Sequence, residues 1–486
     1  MLLPKYETYF YLCVYLLFLA HGLAKLFNKK DKVLTIAKVE FNQGWTWIGR
    51  PQDNTNDEFE YFKDFLWKNA HWYGIHLIVC ECCRIFRPNK RNIAHTCVGL
   101  AFLFATFKVH SLIVILLELL SFYVTSNIRS KSLTWIVAIS WMCGINFIKN
   151  SNELYEFLGY REYYELIISL AWCVLKCLSF NLSKVKDERN DIYNLGNFLG
   201  YTVYFPVFVH GPFMIFDRYV AFTKEQSPQY NRYLLLLKRL IKVFFWLFAL
   251  DFALHFIYIH YMEKDIDAVK LLSDSYGLYA FGYFMGQFFH VFYVITYGLG
   301  IAFASFDGLN PPNPPICIGY INFYSDMWKY FDQGLYEFLF KHIYAELCTK
   351  HSSSLRKIFS ALGTFFFVYI WHGYYLNILI WSLLNVACLI LEKLLKYTIS
   401  CNWYREKIAQ RLSATNQQRL YAVLGTQIFI PSAFSNFYFF SGKEIGNYFM
   451  QLTYCNGLWY YLSISFYCYC LFQSAEYFVS KRKIKY

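Results

Sequence analysis

The chain has 486 residues, of which 57% are hydrophobic, 22% aromatic and only 16% charged, and its formal net charge is +13. This composition excludes an ordinary soluble globular domain, in which about a quarter of the residues are charged. The positive charge does not indicate nucleic-acid binding either, because the basic residues form short clusters between apolar runs and no nucleic-acid-binding motif accompanies them. The sequence therefore predicts a polytopic membrane protein with the bilayer, and no nucleic acid, as partner.

Apolar runs recur along almost the whole chain, many of them near the length of about 20 residues that crosses a hydrocarbon core. The first, at 8–27, is too long for a signal peptide and lacks its basic start. A polar stretch at 28–64 then predicts an exposed or interfacial loop. Further spans are predicted at 66–83, 94–109, 112–126, 133–148, 166–182, 198–216, 235–262, 277–306, 358–371, 376–395, 420–440 and 458–478. We expect one all-α membrane domain, 1–486, with roughly 11–13 transmembrane or re-entrant helices.

Basic clusters mark the ends of several spans, and by the positive-inside tendency these ends should be cytosolic. The clusters are Lys29, Lys30 and Lys32; Arg84, Arg87, Lys90 and Arg91; Arg129 and Lys131; and Lys481, Arg482, Lys483 and Lys485. Cys80, Cys82 and Cys83 precede the second cluster, where either reversible S-palmitoylation or core packing explains them. The fifteen cysteines have no regular spacing, so a disulfide framework is not predicted.

Residues 307–357 interrupt the apolar pattern, because this stretch is rich in aromatic residues but punctuated by charged ones. Amphipathic or non-helical backbone at membrane depth is stable only where protein or a water-filled cavity covers it. The prolines at 311, 312, 314 and 315 make the entry a rigid turn. We therefore predict a re-entrant region of short helices that lines an internal cavity.

Two ionisable residues stand out as candidates for chemistry. His372 follows an aromatic run, and a neutral imidazole in an apolar site can act as a general base near neutral pH. It could equally be a histidine held by a neighbouring carbonyl or carboxylate. Asp332 lies in an aromatic, amphipathic segment and could orient a histidine or bind an amine. The alternative to a catalytic role is that Asp332 is an interfacial carboxylate paired with Lys329, three residues earlier.

At these residues the sequence resembles the Hedgehog acyltransferases, within the membrane-bound O-acyltransferase (MBOAT) family, and is most similar to their insect form. The resemblance is strongest over 307–309, 311–312, Cys317, 323–332 and 334–339, and it continues in the motifs Trp371-His372-Gly373 and Ser435-Asn436. His210-Gly211-Pro212 and 282–289 extend it towards the amino end. Such a match covers the chain from its first span to its last.

The resemblance implies a helical MBOAT fold around a central tunnel, which palmitoyl-CoA enters from the cytosol and a protein acceptor from the lumen. It implies transfer of palmitate to an N-terminal cysteine amine by His372 and Asp332. Trp328, Lys329 and Asn436 are expected near the acyl-CoA, with Lys329 standing where vertebrate members have arginine. Cys317 matches a cysteine that ligates the iron of haem b in the vertebrate enzyme.

The resemblance also implies the partners and the compartment. The expected acceptors are the Hedgehog precursor or its signalling domain, and also growth-factor ligands that begin with cysteine. The expected location is the endoplasmic reticulum or Golgi membrane. Alternatives are an MBOAT enzyme that acylates a lipid or a serine hydroxyl, a non-catalytic MBOAT scaffold, and a channel or transporter, for which no inverted repeat is found.

Overall fold

The structure is a computed structural model that describes residues 3–187, 191–221, 231–272 and 275–483. Within these ranges the regular structure is helical, and the only β-pairing is an isolated bridge between Asn42 and Gln52. The side chains of Lys481, Arg482 and Lys483, and the whole of Lys485, lie outside the described residues. The all-α prediction is thus confirmed for the part of the chain that the structure describes.

The α-helices are numbered in chain order. They are α1 Lys5–Ile36, α2 Asp57–Phe86, α3 Arg91–Thr106, α4 Val109–Ile128, α5 Lys131–Lys149, α6 Asn152–Leu158, α7 Tyr160–Lys186, α8 Leu195–Thr202, α9 Phe216–Ala221, α10 Arg232–Ala253, α11 Ile259–Met262, α12 Ile266–Lys270, α13 Ser275–Phe306, α14 Tyr324–Tyr330, α15 Gln333–Leu339, α16 Ala345–Leu347, α17 Ser354–His372, α18 Leu376–Ser400, α19 Asn402–Lys407, α20 Ala414–Cys455 and α21 Leu458–Lys483. Short 3₁₀ segments lie at Pro88–Lys90, Phe205–Val207, Ile318–Tyr320 and Ala409–Arg411, and a π-helical segment lies at Phe340–Tyr344.

Six helices of the described chain are long and apolar enough to cross a membrane: α1, α4, α5, α7, α13 and α18. Several long helices leave large apolar side chains uncovered, as expected where lipid is the neighbour. Examples are Leu16, Leu17, Leu117, Leu120, Phe244 and Phe245. The chain is therefore a multi-pass membrane protein. The larger total of roughly 11–13 transmembrane or re-entrant helices stays a prediction.

The predicted span at 198–216 is wrong, because the structure breaks it into α8, a 3₁₀ segment and α9. Pro206 and the Gly211-Pro212 pair interrupt the helix. The carbonyls of Thr202 and Val207 accept hydrogen bonds from the buried Lys176 Nζ, at 3.2 and 3.0 Å. A lysine thus satisfies backbone groups that a continuous helix would have paired internally.

The loop between the first two long helices is shorter than the predicted loop at 28–64. Helix α1 continues to Ile36, and α2 begins at Asp57, where the Asn56 side chain accepts a hydrogen bond from the Phe59 amide at 2.9 Å. An asparagine at this position satisfies an amide that the first helical turn leaves unpaired. Both helices therefore extend beyond their apolar segments.

The region 307–357 contains the short elements α14, α15, the π-helical segment and α16 between the long helices α13 and α17. At its start, the Asp307 carboxylate accepts hydrogen bonds from Tyr204 and from His76 Nε2, the latter at 2.7 Å. His95 Nε2 lies 3.8 Å from the same oxygen. This buried network joins the end of α13 to α2, α3 and the broken segment after α8.

Candidate active site

His372 is the last residue of α17, and two side chains from α5 fix this end of the helix. Lys149 Nζ donates to the His372 carbonyl at 2.9 Å, and Asn146 Nδ2 donates to the Ile370 carbonyl at the same distance. Both contacts satisfy carbonyls that have no partner within the helix, and the cation also suits a helix carboxyl terminus. Gly373 then turns the chain with φ 127°, a conformation that favours glycine.

The imidazole of His372 lies among aromatic rings. The rings of Trp381 and Phe439 stand edge-on to it, with centroid distances of 5.6 and 5.1 Å. Neither ring nitrogen makes a hydrogen bond to any residue in the described ranges. The imidazole is therefore held by packing, and both its nitrogens are available to a substrate.

Asp332 precedes α15 and is its N-cap. Its Oδ1 accepts a hydrogen bond from the Leu335 amide at 2.9 Å, and its Oδ2 accepts one from the Tyr297 hydroxyl at 2.7 Å. Asp332 forms no ion pair with Lys329 in the described part of the chain, and the Lys329 Nζ instead lies 4.9 Å from the centroid of the Tyr330 ring. The carboxylate is thus fixed by α13 and α15, without a hydrogen bond to His372.

Asn436 on α20 has a side-chain orientation that its neighbours determine. Its Oδ1 accepts hydrogen bonds from the Tyr324 hydroxyl and from Trp381 Nε1, the latter at 3.3 Å. Because an indole nitrogen only donates, the atom that faces it must be the amide oxygen. The Nδ2 group has no partner in the described part of the chain and remains available as a donor.

Trp328 on α14 is fixed by one hydrogen bond and two ring contacts. Its Nε1 donates to Asn385 Oδ1 at 3.0 Å. Its ring packs on Phe365 and Trp381 with centroid distances of 4.8 and 5.7 Å. The indole is therefore a rigid part of the wall between α14, α17 and α18.

Four of the six predicted site residues, His372, Asp332, Trp328 and Asn436, line one cavity of about 130 Å³, the central cavity. Aromatic residues form most of the rest of its wall. They are Trp172, Phe289, Tyr293, Tyr297, Tyr324, Phe331, Tyr336, Trp371, Trp381, Phe439 and Phe440. The arrangement provides a carboxylate, an imidazole and an amide donor inside an apolar space.

Two further cavities adjoin the central one. The polar cavity, of about 400 Å³, shares His372 with it and is lined also by Asn56, Asp57, Glu58, Lys149, Tyr164, His260, Glu263, Lys264 and Tyr375. The apolar cavity, of about 140 Å³, shares Asn436 and Tyr324 with it and extends between α1, α13, α20 and α21. Phe289 and Phe440, whose ring centroids lie 4.6 Å apart, line all three cavities.

Lys329 and Cys317 lie outside this group. Lys329 is exposed, and it lines none of the three cavities. Cys317 is half-buried, with its Sγ 3.6 Å from Gln287 Nε2. A haem needs an apolar cavity of its own size beside the ligand thiol, and Cys317 borders none of the three cavities. Haem binding at Cys317 therefore stays a prediction from the resemblance.

Several residues of the site were missed by the sequence analysis. Tyr297, the partner of Asp332, lies 35 residues before it on another helix. Glu58 and Lys149 reach the polar cavity from α2 and α5. Among the three cysteines before the basic cluster, Cys82 is exposed, whereas Cys80 is buried with its Sγ 3.7 Å from the His76 ring nitrogens.

Comparison with known proteins assigns the chain to a family. A model of the membrane-bound O-acyltransferase family matches residues 120–435. The protein-cysteine N-palmitoyltransferase Rasp of Drosophila melanogaster is 39% identical over 485 residues, which cover 99% of this chain and 96% of that protein. The protein-cysteine N-palmitoyltransferase HHAT of Mus musculus is 24% identical, with 87% of each chain covered. The membrane-bound O-acyltransferase GUP1 of Saccharomyces cerevisiae is 24% identical, with 76% of this chain and 73% of that protein covered. The predicted resemblance to the insect form is confirmed, and the chain belongs to the membrane-bound O-acyltransferase family.

Proposed function

We propose that this protein transfers palmitate from palmitoyl-CoA to the N-terminal cysteine amine of a Hedgehog-type secreted protein. Two of the similar proteins, from Drosophila melanogaster and Mus musculus, are named protein-cysteine N-palmitoyltransferases. The observation that carries the proposal is the position of His372, which lines both the polar and the central cavity. A polar acceptor and an apolar donor can therefore meet at one imidazole.

The reaction needs few chemical groups because a thioester is an activated acyl donor. The acceptor amine attacks the thioester carbonyl, a C–N bond forms, and the C–S bond breaks to release the CoA thiol. His372 accepts the amine proton and returns it to the leaving sulfur. Alignment of two bound reactants supplies much of the remaining acceleration.

The other residues of the central cavity have separate roles in this proposal. Asn436 Nδ2 donates to the carbonyl oxygen as negative charge develops there, the kind of contact that stabilises acyl-transfer transition states. Trp328 forms part of the wall against which the acyl chain packs. Asp332 binds the ammonium form of the acceptor or favours the protonated form of His372. Lys329 lies apart from these residues and is exposed, as a contact for CoA phosphate would be.

The charges of α2 support entry of the two substrates from opposite faces. The helix begins with Asp57 and Glu58, which line the polar cavity, and it ends in the basic cluster that starts at Arg84. Its 30 residues span about 45 Å, enough to cross the bilayer. By the positive-inside tendency the basic end is cytosolic, so the polar cavity opens towards the lumen.

The remaining assignments rest on family resemblance. We place the protein in the endoplasmic reticulum or Golgi membrane, where secreted acceptors pass. Its acceptors are the Hedgehog precursor or signalling domain, and growth-factor ligands that begin with cysteine. We treat 1–486 as a single membrane domain in which 307–357 lines the cavity. Haem b at Cys317 is supported by resemblance alone, and no step above uses it.

Transfer of labelled palmitate from palmitoyl-CoA to a Hedgehog-like peptide with a free N-terminal cysteine tests the function directly. We expect the purified protein to form a stable amide with this peptide. The N-acetylated peptide should accept nothing at its blocked amine, and resistance of the product to hydroxylamine distinguishes an amide from a thioester or an ester.

Three results would contradict the proposal in different ways. Palmitate found on a serine hydroxyl or on a lysophospholipid, with none on the cysteine peptide, would assign another MBOAT acceptor. Absence of transfer to any acceptor by folded protein would indicate a non-catalytic scaffold. Flux of a solute through reconstituted vesicles without acyl transfer would indicate a transporter.

Glu58→Gln is expected to raise KM for the peptide about threefold to tenfold and to leave KM for palmitoyl-CoA unchanged. Glu58 lines the polar cavity without a hydrogen bond in the described chain, so its charge is available to a cationic acceptor. The effect should shrink as salt increases, because screening weakens the attraction. Glu60→Gln is the matched control, since Glu60 pairs with Lys63 at 2.7 Å. Equal KM values in both variants would contradict a role for Glu58.

A further inference from the structure

One face of α13 forms a wall of the apolar cavity. Tyr279, Gly282, Tyr283, Gly286 and Phe289 all line it, at spacings that repeat on one side of a helix. At 1.5 Å per residue, the distance along the helix from Tyr279 to Phe289 is about 15 Å. Two of the five positions are glycines and leave the space beside the helix open.

The apolar cavity begins next to the reacting groups and extends away from them. Phe289 and Asn436 line both this cavity and the central one. Beyond Gly286, the Tyr15 and Tyr283 hydroxyls form a hydrogen bond, and Phe18 stacks on Tyr467 with a centroid distance of 4.3 Å. The length of about 15 Å equals half the hydrocarbon thickness of a bilayer, which one lipid acyl chain fills.

The two glycines differ in what a side chain would meet. A Cβ at Gly282 would lie 2.3 Å from Phe437 Cζ. The Phe437 ring packs against the Phe449 ring, with a centroid distance of 3.9 Å. A Cβ at Gly286 would meet only the Cδ1 of Ile318, at 2.9 Å. Ile318 also lines the apolar cavity. A side chain at 286 would therefore occupy cavity space, whereas one at 282 would displace a buried ring.

We propose that Gly286 determines how long an acyl chain the donor can carry. This inference rests on the proposed function and adds to it the acyl-chain specificity of the same site. The donor carbonyl lies near Asn436, and its chain runs along α13 past position 286 towards the Tyr15–Tyr283 pair. A residue with a side chain at 286 would shorten the accessible path and favour shorter acyl donors.

Gly286→Leu and Gly286→Ala test this with lauroyl-, myristoyl- and palmitoyl-CoA and one cysteine peptide. We expect the leucine variant to lower the palmitoyl to lauroyl ratio of kcat/KM at least about tenfold. Each methylene displaced from an apolar site is worth roughly fourfold, so a tenfold change corresponds to about two methylenes. The alanine variant should shift the ratio in the same direction by a smaller factor.

Gly298 on α13 provides a matched control. It is also half-buried, and its Cβ would also meet one aliphatic side-chain tip at 2.9 Å, that of Val243, but it lines none of the three cavities. Gly298→Leu and Gly298→Ala should keep the wild-type ratio. An unchanged ratio in the Gly286 variants, or an equal shift in the Gly298 variants, would overturn the inference.

A binding measurement separates failure of this inference from failure of the proposed function. Displacement of bound labelled palmitoyl-CoA by lauroyl-CoA does not require any acceptor. Wild-type protein that binds palmitoyl-CoA better than lauroyl-CoA, with the preference lost in Gly286→Leu, would support the inference even if no cysteine peptide is acylated. Identical preferences in wild type and variant would reject it whatever the acceptor.

Discussion

Replacing His372 by alanine is expected to lower kcat for palmitate transfer by about 10²–10⁴-fold, the usual contribution of a positioned general base. The imidazole lines both the polar and the central cavity, and its nitrogens have no hydrogen-bond partner in the described chain. Among the described residues, no other imidazole lines both cavities. Added imidazole should restore part of the rate, since the ring that is lost borders a cavity of about 400 Å³.

The loss should come from chemistry and not from unfolding. The His372 ring contacts Trp381 and Phe439 only by packing, so the thermal midpoint of the alanine variant should stay within a few degrees of wild type. His290→Ala is a control, because His290 is also buried but its Nε2 faces the Pro315 carbonyl at 3.4 Å, outside the three cavities. Transfer by His372→Ala within about threefold of wild type would exclude the histidine as the base.

Asp332→Asn is expected to lower kcat/KM for the cysteine peptide by about 100-fold or more while the protein remains folded. Asparagine is as good an N-cap as aspartate, so the bond from the Leu335 amide can be kept. The substitution therefore removes the negative charge beside the central cavity and leaves the helix end in place. Steady-state kinetics with both substrates varied measures the effect.

Whether the substitution changes KM or kcat distinguishes the two roles that Asp332 can have. Binding of the acceptor ammonium predicts a higher KM for the peptide, whereas support of protonated His372 predicts a lower kcat. Tyr297→Phe is the matched control, since it removes only the hydroxyl that donates to Asp332. Near wild-type kinetics for Asp332→Asn would indicate that the aspartate acts only as a helix cap.

The long helices could be predicted from apolar runs, but their interruptions could not. The predicted spans at 277–306 and 376–395 correspond closely to α13 and α18. The run at 198–216 has the same apolar character, but Pro206 and Gly211-Pro212 interrupt the helix, and Lys176, from a separate helix, pairs with the freed carbonyls. A hydropathy pattern shows only how apolar a segment is, and it contains no information about a distant partner.

In the candidate site, too, some residues could be predicted from the sequence and others could not. Motif resemblance indicated His372, Asp332, Trp328 and Asn436, and the structure places these four around one cavity. Tyr297, which holds Asp332, could not be found, because an isolated tyrosine in an aromatic span has no distinguishing pattern. The adjoining cavities depend on how α2, α5, α13 and α20 pack, which is a property of the fold and not of any one segment.

The contact between Phe289 and Phe440 has a consequence for the membrane itself. A protein that brings a cytosolic thioester and a luminal amine together risks becoming a pore for ions. These two rings, one from α13 and one from α20, lie side by side where the three cavities adjoin. If the protein has the proposed function, aromatic side chains occupy the place where a leak would form, and we expect the electrical insulation of the bilayer to depend on these two rings.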